Sequence, residues 1–286
     1  MKPAAFEYIV ADSVEMAVAS LAQAGDAKII AGGQSLVPML NFRLLRPAIL
    51  VDINRIPGLA YVREDEDAIR IGALARHHQL ETSPVIAAHL PVLAEAVKHV
   101  AHLAIRNRGT IGGSLSHADP AAELPMMAML FDAELRVASA SGTRTVAARD
   151  FFQDALSVDL AEDEIVTEIA LPKLPPHTGW GFEEIARRSG DFALAAVGVT
   201  LTLRDGAIAQ ARIAMTGVAP TPRRAGAAES MLVGARLDHE VSDDVIEAVR
   251  AVAAPETDLH ASADYRRHLV GVLVRRALDA AWRRAA

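Results

Sequence analysis

Apolar residues near the start of the chain follow two spacings, one typical of a helix and one typical of short buried strands. Over 12–25 an apolar stripe recurs every three or four residues, and Asp12 provides a capping-box-like start. Short apolar runs at 28–30 and 49–53 indicate buried strands. The sequence therefore predicts a small α/β unit that ends near Pro57.

The pattern then changes to short segments that favour antiparallel pairing. A helical spacing is present at 83–100, and Asp119 before Pro120 predicts the N-cap and first position of another helix. Strands are expected, in chain order, at 61–63, 68–71, 134–138, 144–147 and 165–171. Three prolines within 172–176 predict a linker after this second unit.

A third unit is expected to form a sheet followed by helices. Alternation predicts three antiparallel strands, and Asp205-Gly206 predicts a tight turn between the last two. The expected strands cover 182–187, 193–203 and 207–215, and the expected helices cover 242–254 and 262–282. The chain is thus predicted to be α+β, with units at 1–57, 58–176 and 177–286.

The candidate chemistry lies in two glycine-rich segments, Ala31-Gly32-Gly33-Gln34-Ser35-Leu36 and Thr110-Ile111-Gly112-Gly113-Ser114-Leu115. We expect both to be loops. A Gly-Gly pair lets backbone N–H groups approach an anionic oxygen, and serine or glutamine adds side-chain donors. Either segment alone is more typical of a tight turn than of a ligand site, but together they could hold one pyrophosphate.

Other nucleotide-binding motifs are missing from the sequence. Neither G-x-G-x-x-G nor G-x-x-x-x-G-K-[ST] is present in the glycine-rich segments, which disfavours a Rossmann domain and a P-loop NTPase. No G-x-S-x-G nucleophile elbow occurs, so a serine hydrolase is unsupported.

Composition narrows the function further. The 286 residues include 29 Lys and Arg against 36 Asp and Glu, a net charge of −7, which disfavours nucleic acid or an anionic membrane as the main partner. There is no cysteine, so this chain cannot ligate an iron–sulfur cluster through thiolates. No secretory signal or stretch of ~20 apolar residues is recognised, and we expect a cytoplasmic protein without a membrane span.

The glycine segments in their wider context resemble a known family. AGGQSL at 31–36 and TIGGSLSHADPAAELP at 110–125, with GDFA at 190–193 and ASADYRR at 261–267, are similar to the FAD-binding medium subunit of the molybdenum hydroxylases. That family includes aerobic carbon monoxide dehydrogenase and xanthine dehydrogenase. The resemblance covers nearly the whole chain.

The resemblance implies a two-subdomain FAD-binding fold of the vanillyl-alcohol-oxidase/PCMH type, followed by a C-terminal flavoprotein domain with a three-stranded antiparallel sheet and helices. In these terms 1–57 and 58–176 are the two FAD-binding subdomains, and 177–286 is the C-terminal domain. The residues expected to bind FAD are Ala31, Gly32, Gly33, Gln34, Ser35, Leu36, Thr110, Ile111, Gly112, Gly113, Ser114, Glu123, Val166, Asp191 and Phe192. Ser114 departs from the asparagine frequent in the family, so its shorter side chain leaves one hydrogen bond in doubt.

Several of these residues have ordinary structural alternatives. Asp119 is better explained as a helix cap than as a cofactor contact. Phe192 could cover the flavin, as the resemblance implies, or fill the core of the third unit. The adjacent His77 and His78, expected in a strand, would point to opposite faces and are a poor metal site. Arginines 106, 108, 187 and 188 suit either a phosphate or a solvated surface.

The resemblance implies an oxidoreductase subunit that carries electrons. A molybdenum-binding large subunit would hydroxylate the substrate, two clusters on an iron–sulfur small subunit would relay electrons, and FAD in this chain would pass them to an acceptor. The expected assembly is a dimer of heterotrimers, and no catalytic residue or metal ligand is expected in this chain. A self-sufficient flavin oxidoreductase of the same fold and a non-catalytic scaffold are the alternatives.

Overall fold

The computed structural model describes residues 1–236 and 242–285. Its strands form a three-stranded, a five-stranded and a four-stranded sheet and a two-stranded ribbon.

The first part of the chain folds as a parallel sheet with two helices. Its elements are β1 (Glu7–Val10), α1 (Val14–Ala24), β2 (Ala27–Ile30), α2 (Leu36–Asn41) and β3 (Ile49–Asp52). β3 is central and pairs in parallel with both neighbours. The N-cap of α1 is Ser13, whose hydroxyl accepts a hydrogen bond from the N–H of Met16 at 3.2 Å, so the predicted start at Asp12 is wrong by one residue.

The second part contains an antiparallel sheet and most of the short helices. Its elements are β4 (Val62–Glu64), β5 (Ala68–Gly72), α3 (His77–Thr82), α4 (Pro84–His89), α5 (Pro91–His99), α6 (Leu103–Arg106), α7 (Ile111–His117), α8 (Glu123–Leu130), β6 (Glu134–Ser139), β7 (Gly142–Ala147), α9 (Ala148–Phe151), β8 (Phe152–Asp154), β9 (Ser157–Val158) and β10 (Ile165–Pro172). The sheet has the order β4-β5-β10-β6-β7, and β8 pairs with β9 as the ribbon.

Two local predictions in this part are wrong. The second glycine segment is not a loop, because Thr110 caps α7 and both glycines lie in its first turn. Asp119 does not cap a helix; its carboxylate accepts a hydrogen bond from the N–H of Ala121 at 2.9 Å in a turn, and α8 begins later, at Glu123. Tertiary packing contributes to the second outcome, since the carbonyl of Pro120 accepts hydrogen bonds from Thr216 and Gly217 in the third part of the chain.

The third part consists of β11 (Thr178–Ala186), β12 (Ala193–Arg204), β13 (Ala207–Thr216), β14 (Arg223–Arg224), α10 (Gly226–Leu232), α11 (Asp243–Val252) and α12 (Ala263–Ala285). The expected three-stranded sheet has a fourth, two-residue strand at its edge. That strand is too short to show any alternation in the sequence. α12 packs closely on β11, since a Cβ on Gly181 would lie 2.0 Å from the carbonyl oxygen of Ala277.

Three clusters of buried apolar side chains stabilise the fold. One lies within the third part. A second joins the helices and sheet of the second part to buried residues of the third, including Phe182 and Ala196. A third joins α1 and β3 to Ala138 and Ile165 of the second part. The three parts are therefore in contact through shared apolar cores.

Among residues 1–236 and 242–285, no helix is both long enough and apolar enough to cross a membrane.

Candidate functional site

A cavity of about 860 Å³ is lined by all three parts of the chain. The structure places every predicted site residue in its wall except Ile111, whose side chain is buried in the second part's core. Much of the remaining wall is apolar and comes from distant segments, including Met39, Ile105, Leu156 and Leu160. Sequence analysis missed these residues because no local motif marks them.

The first glycine segment connects β2 to α2 and presents backbone donors. Gly33 has a positive φ of 73°, a conformation that favours glycine. Within the described chain, the N–H groups of Gly33, Gln34 and Ser35 donate to no protein acceptor. Three neighbouring N–H groups in the wall of a cavity are suited to an anionic ligand.

The second glycine segment differs, because its N–H groups are already used. Those of Ile111 and Gly112 donate to the carbonyls of Ala75 and Ala73, and that of Gly113 donates to the Thr110 hydroxyl at 3.2 Å. Gly112 is required by packing, since a Cβ there would lie 2.6 Å from the Cβ of Ala73. This segment therefore offers a ligand its surface and the Ser114 side chain rather than a set of free amides.

The buried carboxyl group of Glu123 is the main titratable feature of the wall. It is only 5% exposed, and burial together with the nearby charges of Glu184 and Asp119 raises the pKa of Glu123 to about 8. Burial likewise raises the pKa of Glu184 to about 7, and its Oε2 atom is buried without a partner. At neutral pH Glu123 is largely protonated and can donate a hydrogen bond as well as accept one.

His77 is buried in the same wall. It begins α3 rather than lying in the expected strand. Burial lowers the pKa of His77 to about 4, so the ring is neutral at pH 7, and a Cβ on Gly109 would lie within 2.8 Å of it. Within the described residues no group of three or more His, Asp or Glu side chains could hold a metal ion. His77 supports the segment that leads into α7.

Phe192 lies at the cavity and does not fill a core. Its side chain is 64% exposed, which excludes the core-packing alternative. It follows a turn in which the N–H of Asp191 donates to the carbonyl of Arg188 at 3.1 Å. Phe192 is thus an exposed aromatic ring at the edge of the cavity.

The four arginines considered as phosphate ligands do not line the cavity. Arg106 binds the carboxylate of Glu81 at 2.9 Å and the carbonyls of Val100 and Ala101, so its role is structural. Arg187 contacts His260 at 3.3 Å.

Comparison with known proteins identifies the family. Residues 4–174 match the FAD binding domain in molybdopterin dehydrogenase, and residues 180–281 match the CO dehydrogenase flavoprotein C-terminal domain. The chain belongs to this flavoprotein family. The resemblance seen in the sequence is therefore confirmed.

The similarity to individual members of the family extends over the whole chain. The alpha subunit of the 6-hydroxypseudooxynicotine dehydrogenase complex of Paenarthrobacter nicotinovorans is 44% identical over 288 residues, covering 100% of this chain and 97% of that subunit. A structure of carbon monoxide dehydrogenase from Hydrogenophaga pseudoflava superposes with a TM-score of 0.97 at 42% identity, covering 100% of both chains. A structure of quinoline 2-oxidoreductase from Pseudomonas putida 86 superposes with a TM-score of 0.95 at 36% identity, again covering 100% of both chains.

The cavity of this flavoprotein fits FAD on three observations. Its volume of about 860 Å³ is within the range of cofactor pockets, roughly 300–1,000 Å³. The unpaired N–H groups of Gly33, Gln34 and Ser35 suit a pyrophosphate, and the carboxyl group of Glu123 suits sugar or ribityl hydroxyls. The apolar wall and Phe192 suit an aromatic ring system.

Proposed function

We propose that this chain is the FAD-carrying electron-transfer subunit of a heterotrimeric molybdenum hydroxylase. The single observation that carries this proposal is the cavity whose polar donors and apolar wall match the two ends of FAD, in a chain of the matching family. FAD, when bound, supplies the one- and two-electron chemistry. The two-subdomain fold of the vanillyl-alcohol-oxidase type and the three domain boundaries expected from the sequence belong to this proposal.

Each part of the wall has a separate proposed role. The first glycine segment, residues 31–36, would hold the pyrophosphate with its free N–H groups, and Gly113 and Ser114 would close over its other side. Glu123 would bind hydroxyl groups of the ribose or ribityl chain, and Val166 would contribute apolar contact. Phe192, positioned by the Asp191 turn, would cover one face of the flavin.

Partner subunits follow from what this chain lacks and from the family. With no cysteine it supplies no thiolate for an iron–sulfur cluster. We therefore assign the molybdenum cofactor to a large subunit and two iron–sulfur clusters to a small subunit, assembled as a dimer of heterotrimers. The cytoplasmic location expected from the sequence stays a prediction.

In this proposal another subunit selects the substrate. Relatives named for 6-hydroxypseudooxynicotine, carbon monoxide and quinoline match this chain over its full length, although these molecules differ greatly in size and polarity. Because one kind of flavoprotein accompanies such different substrates, we assign substrate recognition to the molybdenum subunit.

FAD binding is tested with a charge placed beside the free N–H groups. Ser35→Asp puts a carboxylate near the proposed pyrophosphate, whereas Ser35→Asn introduces a neutral side chain of the same size as aspartate. For a carboxylate about 4 Å from a phosphate charge, at an effective dielectric constant of about 20, the repulsion is about 4 kcal/mol. This is equivalent to roughly 1,000-fold weaker binding. We expect Ser35→Asp to lose FAD and Ser35→Asn to retain it, measured by flavin absorbance and fluorescence titration. Equal retention by both folded variants would contradict the assignment of this segment.

The electron-transfer role is tested with and without partners. The isolated flavoprotein should be reduced by a chemical reductant but should not oxidise the physiological substrate, because the substrate site lies on another subunit. Addition of the cluster and molybdenum subunits should restore substrate-dependent flavin reduction in anaerobic stopped-flow traces. Substrate oxidation by the isolated chain would favour a self-sufficient flavin oxidoreductase, and failure to bind FAD would favour a scaffold.

A further inference from the structure

Asn54 and Arg76 connect the two glycine segments without lining the cavity. Asn54 follows β3, and its Nδ2 donates to the carbonyl of Ala31 at 2.7 Å, immediately before the first glycine pair. Arg76 precedes α3; its Nη2 donates to Oδ1 of Asn54 at 2.7 Å, and its Nη1 donates to the carbonyl of Arg108. One pair of side chains therefore reaches a carbonyl group in the first segment, that of Ala31, and one just before the second segment, that of Arg108.

The two segments touch at the point that this pair spans. A Cβ on Gly32 would lie 2.3 Å from the carbonyl oxygen of Arg108, the same oxygen that accepts the hydrogen bond from Arg76. The distance between the segments thus depends on this close backbone contact, and Arg76 holds the carbonyl group that makes it. A small displacement of this carbonyl would move the first segment relative to α7.

Neighbouring groups hold the Asn54 side chain in one orientation. Oδ1 of Asp52 accepts hydrogen bonds from both the backbone N–H of Asn54, at 2.8 Å, and its Nδ2, at 2.6 Å. The other oxygen of Asp52 accepts a hydrogen bond from the hydroxyl of Tyr8. The amide oxygen of Asn54 is therefore directed toward Arg76 and its nitrogen toward Ala31.

The position of Arg76 is not explained by an ion pair. In the described part of the chain its guanidinium makes no salt bridge, and its hydrogen bonds go to the amide oxygen of Asn54 and the carbonyl oxygen of Arg108. Burial, followed by the charge of Arg108, lowers the pKa of Arg76 from its usual value. A partly buried cation bound only to neutral oxygens is costly, and here it is placed where it fixes the carbonyl of Arg108.

We propose that Asn54 and Arg76 are positioning residues that form an inter-segment clamp, which fixes the separation of the two glycine segments and thereby sets the affinity for FAD. The proposal rests on the proposed function, because it assumes that both segments contact the same ligand. The clamp preorganises the site before FAD arrives, so its loss weakens binding by letting the segments move apart.

The test uses the full chain freed of flavin and titrated with FAD, with flavin fluorescence as the readout. Asn54→Ala removes the link to Ala31 and leaves every charge, and Arg76→Lys keeps the charge but cannot reach two oxygens in a fork. Each should raise the Kd for FAD by about 10- to 100-fold. The double variant should lose little beyond the larger single loss, because both changes break one clamp.

Arg224→Lys is the matched control. Arg224 is also partly buried and donates to a backbone carbonyl, that of Met129 at 2.9 Å, but it does not line the cavity. It should keep the wild-type Kd within about twofold, even if its unfolding midpoint in urea falls as much as that of Asn54→Ala. The visible circular dichroism of bound flavin should change in the clamp variants and not in this control.

The outcomes separate the clamp from the proposed function. If the wild-type chain fails to bind FAD, the proposed function itself is wrong. If the wild type binds and Asn54→Ala keeps wild-type affinity while Arg76→Lys loses it, Arg76 meets the anion directly and the clamp is overturned. Wild-type affinity in both variants also overturns it. Should Asn54→Ala not fold, Asn54→Ser is compared in the same way.

Discussion

At the scale of single residues, the buried carboxyl groups of Glu123 and Glu184 contribute to the dependence of stability on pH. Glu123 and Glu184 both have raised pKa values, of about 8 and about 7, and burial is the largest cause for each. An acid with a raised pKa favours the folded state at low pH, where it is protonated in both states. That contribution is lost as pH rises from the unfolded pKa, near 4.5, through the folded pKa.

We predict that Glu123→Gln removes the part of the loss of stability with rising pH that comes from ionisation of Glu123. Wild-type protein should lose unfolding free energy relative to the variant between pH 5 and pH 8, by on the order of 3 kcal/mol. Urea unfolding of both proteins across this range measures the difference, in which titrating groups other than the neighbouring Glu184 and Asp119 largely cancel. Parallel stability curves would show that Glu123 ionises freely in the folded protein.

Phe192 is the clearest residue at which function and stability separate. Because its side chain is 64% exposed, Phe192→Ala should change the unfolding free energy by no more than about 0.5 kcal/mol. FAD should stay bound, while its absorption spectrum and rate of reoxidation by oxygen should change as solvent reaches the flavin.

Phe42→Ala provides the control for this prediction. Phe42 is similarly exposed, at 66%, but does not line the cavity. It should leave both the spectrum and the reoxidation rate unchanged. Equal behaviour of the two variants would remove Phe192 from the flavin site.

At the scale of secondary-structure elements, close backbone contacts explain glycines that sequence analysis attributed to the ligand. Gly32 is needed because the carbonyl of Arg108 lies against it, and Gly112 because Ala73 does. The first segment consequently packs on the chain that leads into α7, and the second packs on the residue that follows β5, before any cofactor is considered. Gly33 differs from these two glycines, because it combines a positive φ with an N–H group that donates to no acceptor within the described residues.

The element scale yields a paired prediction on alanine substitution. Gly32→Ala should destabilise the fold by several kcal/mol and weaken FAD binding, since its Cβ would lie 2.3 Å from a carbonyl oxygen. Gly226→Ala, in α10 with no heavy atom within 4 Å of the added Cβ, should stabilise the fold by roughly 0.5–1 kcal/mol. Thermal unfolding measures both, and opposite signs are expected.

At the scale of the whole molecule, shared cores join the three predicted units. α1 and β3 pack against Ala138 and Ile165, and the helices of the second part pack against Phe182 and Ala196. The proline-containing connection after β10 is itself held, since the N–H of Lys173 donates to the carbonyl of Asp67 at 3.0 Å. Domain boundaries drawn from the sequence therefore mark changes of architecture within a connected core.

We predict that the chain unfolds in one cooperative transition. Trp180 packs on the core shared by the second and third parts and Trp282 on the core of the third, so tryptophan fluorescence does not report on the first part, whereas far-UV circular dichroism reports on all parts. Val51→Ala, in the core of the first part, should shift both urea transitions together, by on the order of 2 kcal/mol. A shift seen only by circular dichroism would show that the units unfold independently.

Local patterns in the sequence determined most elements of the fold and the family. Helical spacing, alternation and short apolar runs predicted α1, β3, β5, β12 and α12. These patterns are visible in the sequence because the buried positions of a helix or strand recur at regular intervals or follow one another directly. The segments at 31–36 and 110–125 were sufficient to indicate the flavoprotein family. All of the site residues predicted within these two segments except Ile111 line the cavity, since residues close in sequence enter the wall together.

Tertiary structure alone decided which groups are free to act. The sequence could not show that the N–H groups of Gly33 to Ser35 lack acceptors whereas that of Gly112 binds Ala73. Nor could it show that Ile111 is in the core, or that Arg76 reaches both Asn54 and Arg108. The physical reason is that hydrogen-bond satisfaction, burial and the pKa shifts that follow depend on contacts between segments far apart in the chain, and packing sets those contacts.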